Sequence, residues 1–292
     1  MSVLFHIIKF KLISFIKFNT DLKFTSIVKN LGSGLVYILF GISVFFFTKS
    51  LLNYFLEEIK IGSFLLHRFI SIIFFIFFIA VNAGNIIVSF STLYKSKEVF
   101  YLITKPLSST KIFMIKFLDN FFYSSTTMLL MISTVMFAYC VYFKLDFWFA
   151  GFFFFFMLLP FMLIAASLAV ILLMILIRIA YKVGLKKVVF GLISAYIAGV
   201  IIFFQASNPI LIVKQVMSFY PNVDSYFTSV DNPILRFLPN FWIADALYWF
   251  SKGKTYNALP YVAWLIITSL IFFFTALYAA KKNVLPKLVG II

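Results

Sequence analysis

The stretch FISIIFFIFFIAVNAGNIIVSFSTL, residues 69–93, contains no charged side chain. It exceeds the roughly 20 apolar residues a helix needs to cross about 30 Å of hydrocarbon. Five further apolar runs lie at 31–48, 117–143, 147–177, 188–205 and 258–280, and Asp119 is the only charge within them. The chain of 292 residues is 64% hydrophobic with a mean hydropathy of +1.09, more apolar surface than a soluble core of that length hides. The expected fold is therefore all-α and polytopic, with six transmembrane helices. Pro160 falls inside the fourth run and is expected to kink it, because it lacks an amide donor and crowds the preceding turn.

Lysine and arginine set the orientation of such a chain. Residues 1–30, 94–116, 178–187 and 281–292 together hold 17 of the 25 basic residues, and the alternate connections hold 8. The first set is expected to be cytoplasmic, with both termini on that side of a bacterial inner membrane. The organisation read from this is an interfacial amphipathic segment over 1–30 and a six-span domain over 31–280. That domain carries a cytoplasmic loop at 94–116 and an extracytoplasmic segment at 206–257, and a short cytoplasmic tail follows at 281–292. In the first segment Leu4, Phe5, Ile8, Leu12, Phe15 and Ile16 share one helical arc, which suits a helix lying among membrane lipids. Lys9, Lys11 and Lys17 interrupt its apolar run, so it does not read as a cleaved leader. The isoelectric point near 9.8 follows from topology, since the cations are scattered over short connections and form no nucleic-acid-binding module.

Polar residues inside the spans need partners. Asn82 and Asn85 share one face of the second run, and Asn120, Ser124 and Thr127 share one face of the third. These faces, with Asp119 beside Lys116, are expected to point into the bundle, as interhelical hydrogen bonding or as a polar substrate path. Gly191, Ala195 and Gly199 recur every fourth residue, the spacing that lets another helix approach closely.

Catalytic motifs are tested and set aside. Gly253-Lys254-Thr255 matches the end of a phosphate-binding loop, but the glycine required five residues earlier is replaced by Tyr248. Glu57-Glu58 resembles the paired glutamates of intramembrane CAAX-type proteases, yet Gly62 stands where that family has an arginine. With one cysteine, Cys140, and two distant histidines, His6 and His67, neither a disulfide framework nor a metal cluster is expected. No catalytic residue, metal or cofactor is anticipated.

The loop YKSKEVFYLITKPLSSTKIFMIKF, residues 94–117, reads as a short helix over 96–104, a break at Pro106, and a restart capped by Ser108 that runs through Lys111 and Lys116 into the third span. A rigid helix joined to a rigid span transmits force, whereas a plain basic loop would only fix topology. Ser96, Lys97, Glu98, Leu102, Pro106, Leu107, Ser108, Ile112, Phe113 and Lys116 match a pattern resembling permease subunits of type-2 ABC exporters. The segment from Leu238 to Ile266, with Pro239, Trp242, Ala244 and Gly253, is similar to the extracellular helix such proteins place before their last span.

That resemblance implies a permease subunit without enzymatic activity of its own. The 96–104 helix would dock on a separate ABC ATPase subunit, and the chain would pair with a second transmembrane subunit or with itself. The alternatives weighed are an ATP-independent secondary carrier or lipid-handling membrane protein, and a non-transporting scaffold.

Overall fold

The computed structural model describes residues 24–94, 96–104, 108–218 and 235–283. The N-terminal segment through residue 23, Pro106 and Leu107 of the loop, and the tail beyond 283 lie outside the described residues. Among the described residues, every regular element is helical. Helix α1 is Phe24–Asn53, continued by a wide π turn at Tyr54–Glu58. Next come α2 (Ser63–Tyr94), the short α3 (Lys97–Ile103) and α4 (Ser109–Tyr142). A single long helix, α5, spans Phe147–Val183. The remainder is α6 (Leu185–Ser207), α7 (Pro209–Ser218), α8 (Pro239–Ser251) and α9 (Thr255–Asn283).

Six helices are long and apolar enough to cross a membrane: Gly34–Glu58, Ser63–Leu93, Thr110–Tyr142, Phe147–Val183, Leu185–Lys214 and Thr255–Lys281. Each overruns the apolar stretch that announced it. Hydropathy marks the hydrocarbon, but helical hydrogen bonding continues until the backbone is forced out of it. Here the breaks fall at left-handed residues: Lys60 and Gly62 after α1, Lys144 after α4, Gly184 between α5 and α6, Asn208 before α7 and Gly253 after α8.

Pro160 acts on α5 through the turn before it. Residues Phe153–Leu158 widen into a π segment, in which the amide of Leu159 donates to the carbonyl of Phe154, five residues back. The wider turn makes room for a proline ring that would crowd an α-helical carbonyl four residues earlier. The helix continues past it to Val183.

Helix α5 is the centre of the bundle. It packs against α2 and α9, α8 wedges between those two, α4 lies along α2, and α1 and α6 attach at the periphery to α4 and α5. Phe153, Met157, Phe161, Met162, Ile164, Ala165, Ala166, Ala169 and Val170 of α5 are all buried. In hydrocarbon such packing gains no hydrophobic free energy over lipid, so close fit and interhelical hydrogen bonds choose the arrangement.

Candidate functional site

The polar residues of the spans gather at both ends and in the middle of the bundle. At one end, Ser96 caps α3, its hydroxyl accepting the Glu98 amide at 3.2 Å. Glu98 then forms an ion pair with Lys116, which lies on the second turn of α4 and is only 4% exposed. Lys116 also lies 3.9 Å from Asp119. Around it Val99, Ile112, Phe113, Ile115 and Phe117 are buried, so the foot of α4 is held inside the bundle. Lys97 and Ser108 are exposed, while Leu102 and Lys111 are partly buried. Ser108 occupies the N-cap of α4 through its backbone, its carbonyl accepting the amides of Lys111 and Ile112, while its side chain makes no capping bond.

One turn further along α4, Asn120 donates to the Ser89 hydroxyl at 3.2 Å and accepts from Thr92 at 2.8 Å, tying α4 to α2. Asn82 of α2 donates to the carbonyl of Ala165 on α5 at 2.7 Å and accepts from the Tyr196 hydroxyl of α6. Asn85 donates to the Val81 carbonyl within its own helix. Ser124 is partly buried with its hydroxyl unbonded among the described residues, and Thr127 faces outward. The helical arc shared by Asn120, Ser124 and Thr127 thus turns from interior to surface along α4. Gly191, Ala195 and Gly199 are exposed on α6, and a side chain added at either glycine would meet nothing within 4 Å.

A third cluster, at the opposite end, holds α8 in place. Asn240 donates to both the carbonyl and the hydroxyl of Ser71, at 3.1 and 2.9 Å. Arg68 bonds Asp245 at 2.8 Å, with its guanidinium over the rings of Phe64 and Phe241. His67 sits with Nδ1 2.6 Å from the Ser63 carbonyl and Nε2 2.7 Å from the Tyr139 hydroxyl, which itself lies 3.1 Å from the Leu247 carbonyl. Of these residues the sequence singles out His67 alone, and only as a candidate metal ligand. A buried His-Arg pair at the start of a span is the signal that could have found them, because isolated charges there need partners.

Gly253, Lys254 and Thr255 form the turn from α8 to α9. The Gly253 and Lys254 amides donate to the carbonyls of Phe250 and Trp249, each at 3.0 Å, and the Lys254 ammonium lies over the Trp249 ring. Amides already used to close α8 cannot cradle phosphates, so this turn does not fit a nucleotide.

Residues 21–286 match the family described as "Putative ATP-binding cassette", and the chain belongs to it. No curated protein and no solved structure was found to match the chain. The family finding corrects three expectations. The chain was expected to be a permease subunit of a type-2 exporter, to work by coupling a separate ATPase to export, and to have no enzymatic activity. The matched family is described by ATP binding itself, which points to nucleotide chemistry in this family rather than to a permease. The resemblance rests on the loop pattern, on the segment from Leu238 to Ile266 and on apolar spans, and spans of unrelated membrane proteins share composition because the bilayer imposes it.

Proposed function

We propose that this member of the ATP-binding-cassette family is a membrane-embedded component of an ABC transporter, in which the elbow formed by α3 and α4 passes movement between the nucleotide-dependent part of the assembly and the six-helix bundle. The Glu98–Lys116 ion pair carries this reading. It joins a short surface helix to the buried foot of a span, and Asn120 relays that span to α2. A push on α3 is passed to α4 through this pair, because Lys116 is itself held buried at the foot of the span. The bias of lysine and arginine toward the loops at this end supports a cytoplasmic elbow in a bacterial inner membrane. Partners in this reading are the other chains of the transporter, a second transmembrane chain or a second copy among them.

The test is a charge reversal and its swap in the full-length protein, purified with whatever co-purifies and reconstituted in nanodiscs. Glu98→Lys and Lys116→Glu are each expected to lower ATP hydrolysis severalfold, and the double variant to recover part of it. Unchanged hydrolysis in both single variants removes the elbow from the mechanism. No nucleotide binding or hydrolysis by the wild-type preparation, chain alone or with partners, overturns the transporter reading itself.

A further inference from the structure

Helix α5 is longer than a membrane requires. Its 37 residues reach about 55 Å at 1.5 Å per residue, yet its buried residues end at Met174. The last turns project from the bundle, residues 181–187 are all exposed, and Gly184, at φ 94°, reverses the chain into α6. Arg178, Lys182, Lys186 and Lys187 crowd this turn, all exposed. No aspartate or glutamate occurs between Asp146 and Asp224, and among the described residues the acids at this end, Glu98 and Asp119, sit beside Lys116 and not beside Lys182, Lys186 or Lys187. Lys186 and Lys187 also occupy the first turn of α6, where the helix dipole disfavours cations. Their charge weakens the helix locally, so it is not there to stabilise the fold. Interleaved with the cations are Ile179, Tyr181, Val183 and Leu185, each exposed.

We infer that the α5–α6 turn is a binding surface for anionic phospholipid headgroups, with Lys182, Lys186 and Lys187 reaching phosphates and Tyr181 and Leu185 seated at the acyl boundary. The interleaving selects lipid as the occupant. Long cationic side chains and amphipathic rings share a surface where apolar and charged layers meet within a few ångströms, as at a membrane interface. An acidic protein surface would match the lysines and leave Val183 and Leu185 without apolar cover. The inference is independent of the nucleotide reading, since it concerns lipid association and not hydrolysis.

The experiment uses the full chain in nanodiscs of equal parts phosphatidylcholine and phosphatidylglycerol. Lipid retained on the protein is measured by native mass spectrometry. A fluorophore on Leu185→Cys, in a Cys140→Ala background, reports quenching by spin-labelled forms of each lipid. Phosphatidylglycerol is expected to be enriched roughly threefold or more over phosphatidylcholine, less so at high salt, and to be the stronger quencher. Changing Lys182, Lys186 and Lys187 together to glutamine should remove the enrichment, changing them to arginine should keep it, and Lys60→Gln with Lys144→Gln at the opposite end should leave it intact. Equal retention in wild type and the glutamine variant overturns the inference. So does equal quenching by the two lipids, the result expected if an acidic protein covers the turn; the quenching arm keeps all three lysines and does not depend on how the glutamine variant folds.

Discussion

Tyr139 has one hydroxyl hydrogen and two acceptors within reach, the Leu247 carbonyl and His67 Nε2. Because a carbonyl only accepts, the short contact to Ser63 places a proton on Nδ1 of His67, and in the neutral ring Nε2 then accepts from Tyr139. The phenol thus ties α4 to α2, with the Leu247 carbonyl of α8 beside the same oxygen. Tyr139→Phe keeps the ring packing but removes the hydrogen offered to the buried His67 Nε2, so it is expected to cost about 1–3 kcal/mol. Thermal unfolding of the purified chain in detergent checks this, and an unchanged midpoint would show that the hydroxyl bridges nothing. The cluster is not legible in the sequence because its members are far apart in the chain. His67 was weighed only as a metal ligand, and its partner is 72 residues away. The Glu98–Lys116 pair escaped for a related reason, since it crosses the Pro106 break and no helical periodicity connects its two residues.

The six spans were legible because each must cover the hydrocarbon, a length that composition reports directly. Helix α8 was not. Its 13 residues include Asn240 and Asp245 among aromatic and aliphatic neighbours, a composition equally suited to a helix resting on a surface. The structure instead buries Phe241, Ile243, Ala244, Ala246 and Leu247 between α2 and α9. What decides this is Ser71 and Arg68, which receive Asn240 and Asp245 from across the chain. A short helix docked by a few polar ties moves as a unit. Asn240→Ala removes the tie nearest its N-terminus, and the expected outcome is faster amide hydrogen exchange along the whole of 239–251. Acceleration confined to the residues next to the substitution would mean that α8 is held by apolar packing alone.

On the scale of the whole molecule, packing is uneven. The bundle is dense around α5, whereas α1 and α6 present most of their apolar side chains outward, Ile38, Phe46 and Phe47 on α1 and Ile193, Ile197 and Ile202 on α6 among them. Sequence could not show this difference, because a lipid-facing helix and a protein-facing one are both apolar all round when the solvent is hydrocarbon. Small residues occur at both kinds of site. Ala166 and Ala169 are fully buried in α5, while Gly191 and Gly199, spaced as if for a close helix contact, have open space beside them. The two kinds of site should answer a bulky side chain in opposite ways. Ala166→Leu forces new atoms into a filled core and is expected to cost about 1–3 kcal/mol or more. Gly191→Leu with Gly199→Leu adds side chains to an open face and should leave the unfolding midpoint of the isolated chain nearly unchanged, or raise it slightly by removing two helix-interior glycines. Measured side by side in detergent, a large loss from the glycine pair would mean that the α6 face is covered within the isolated chain. A loss seen only in native membranes would place its cover in a neighbouring molecule.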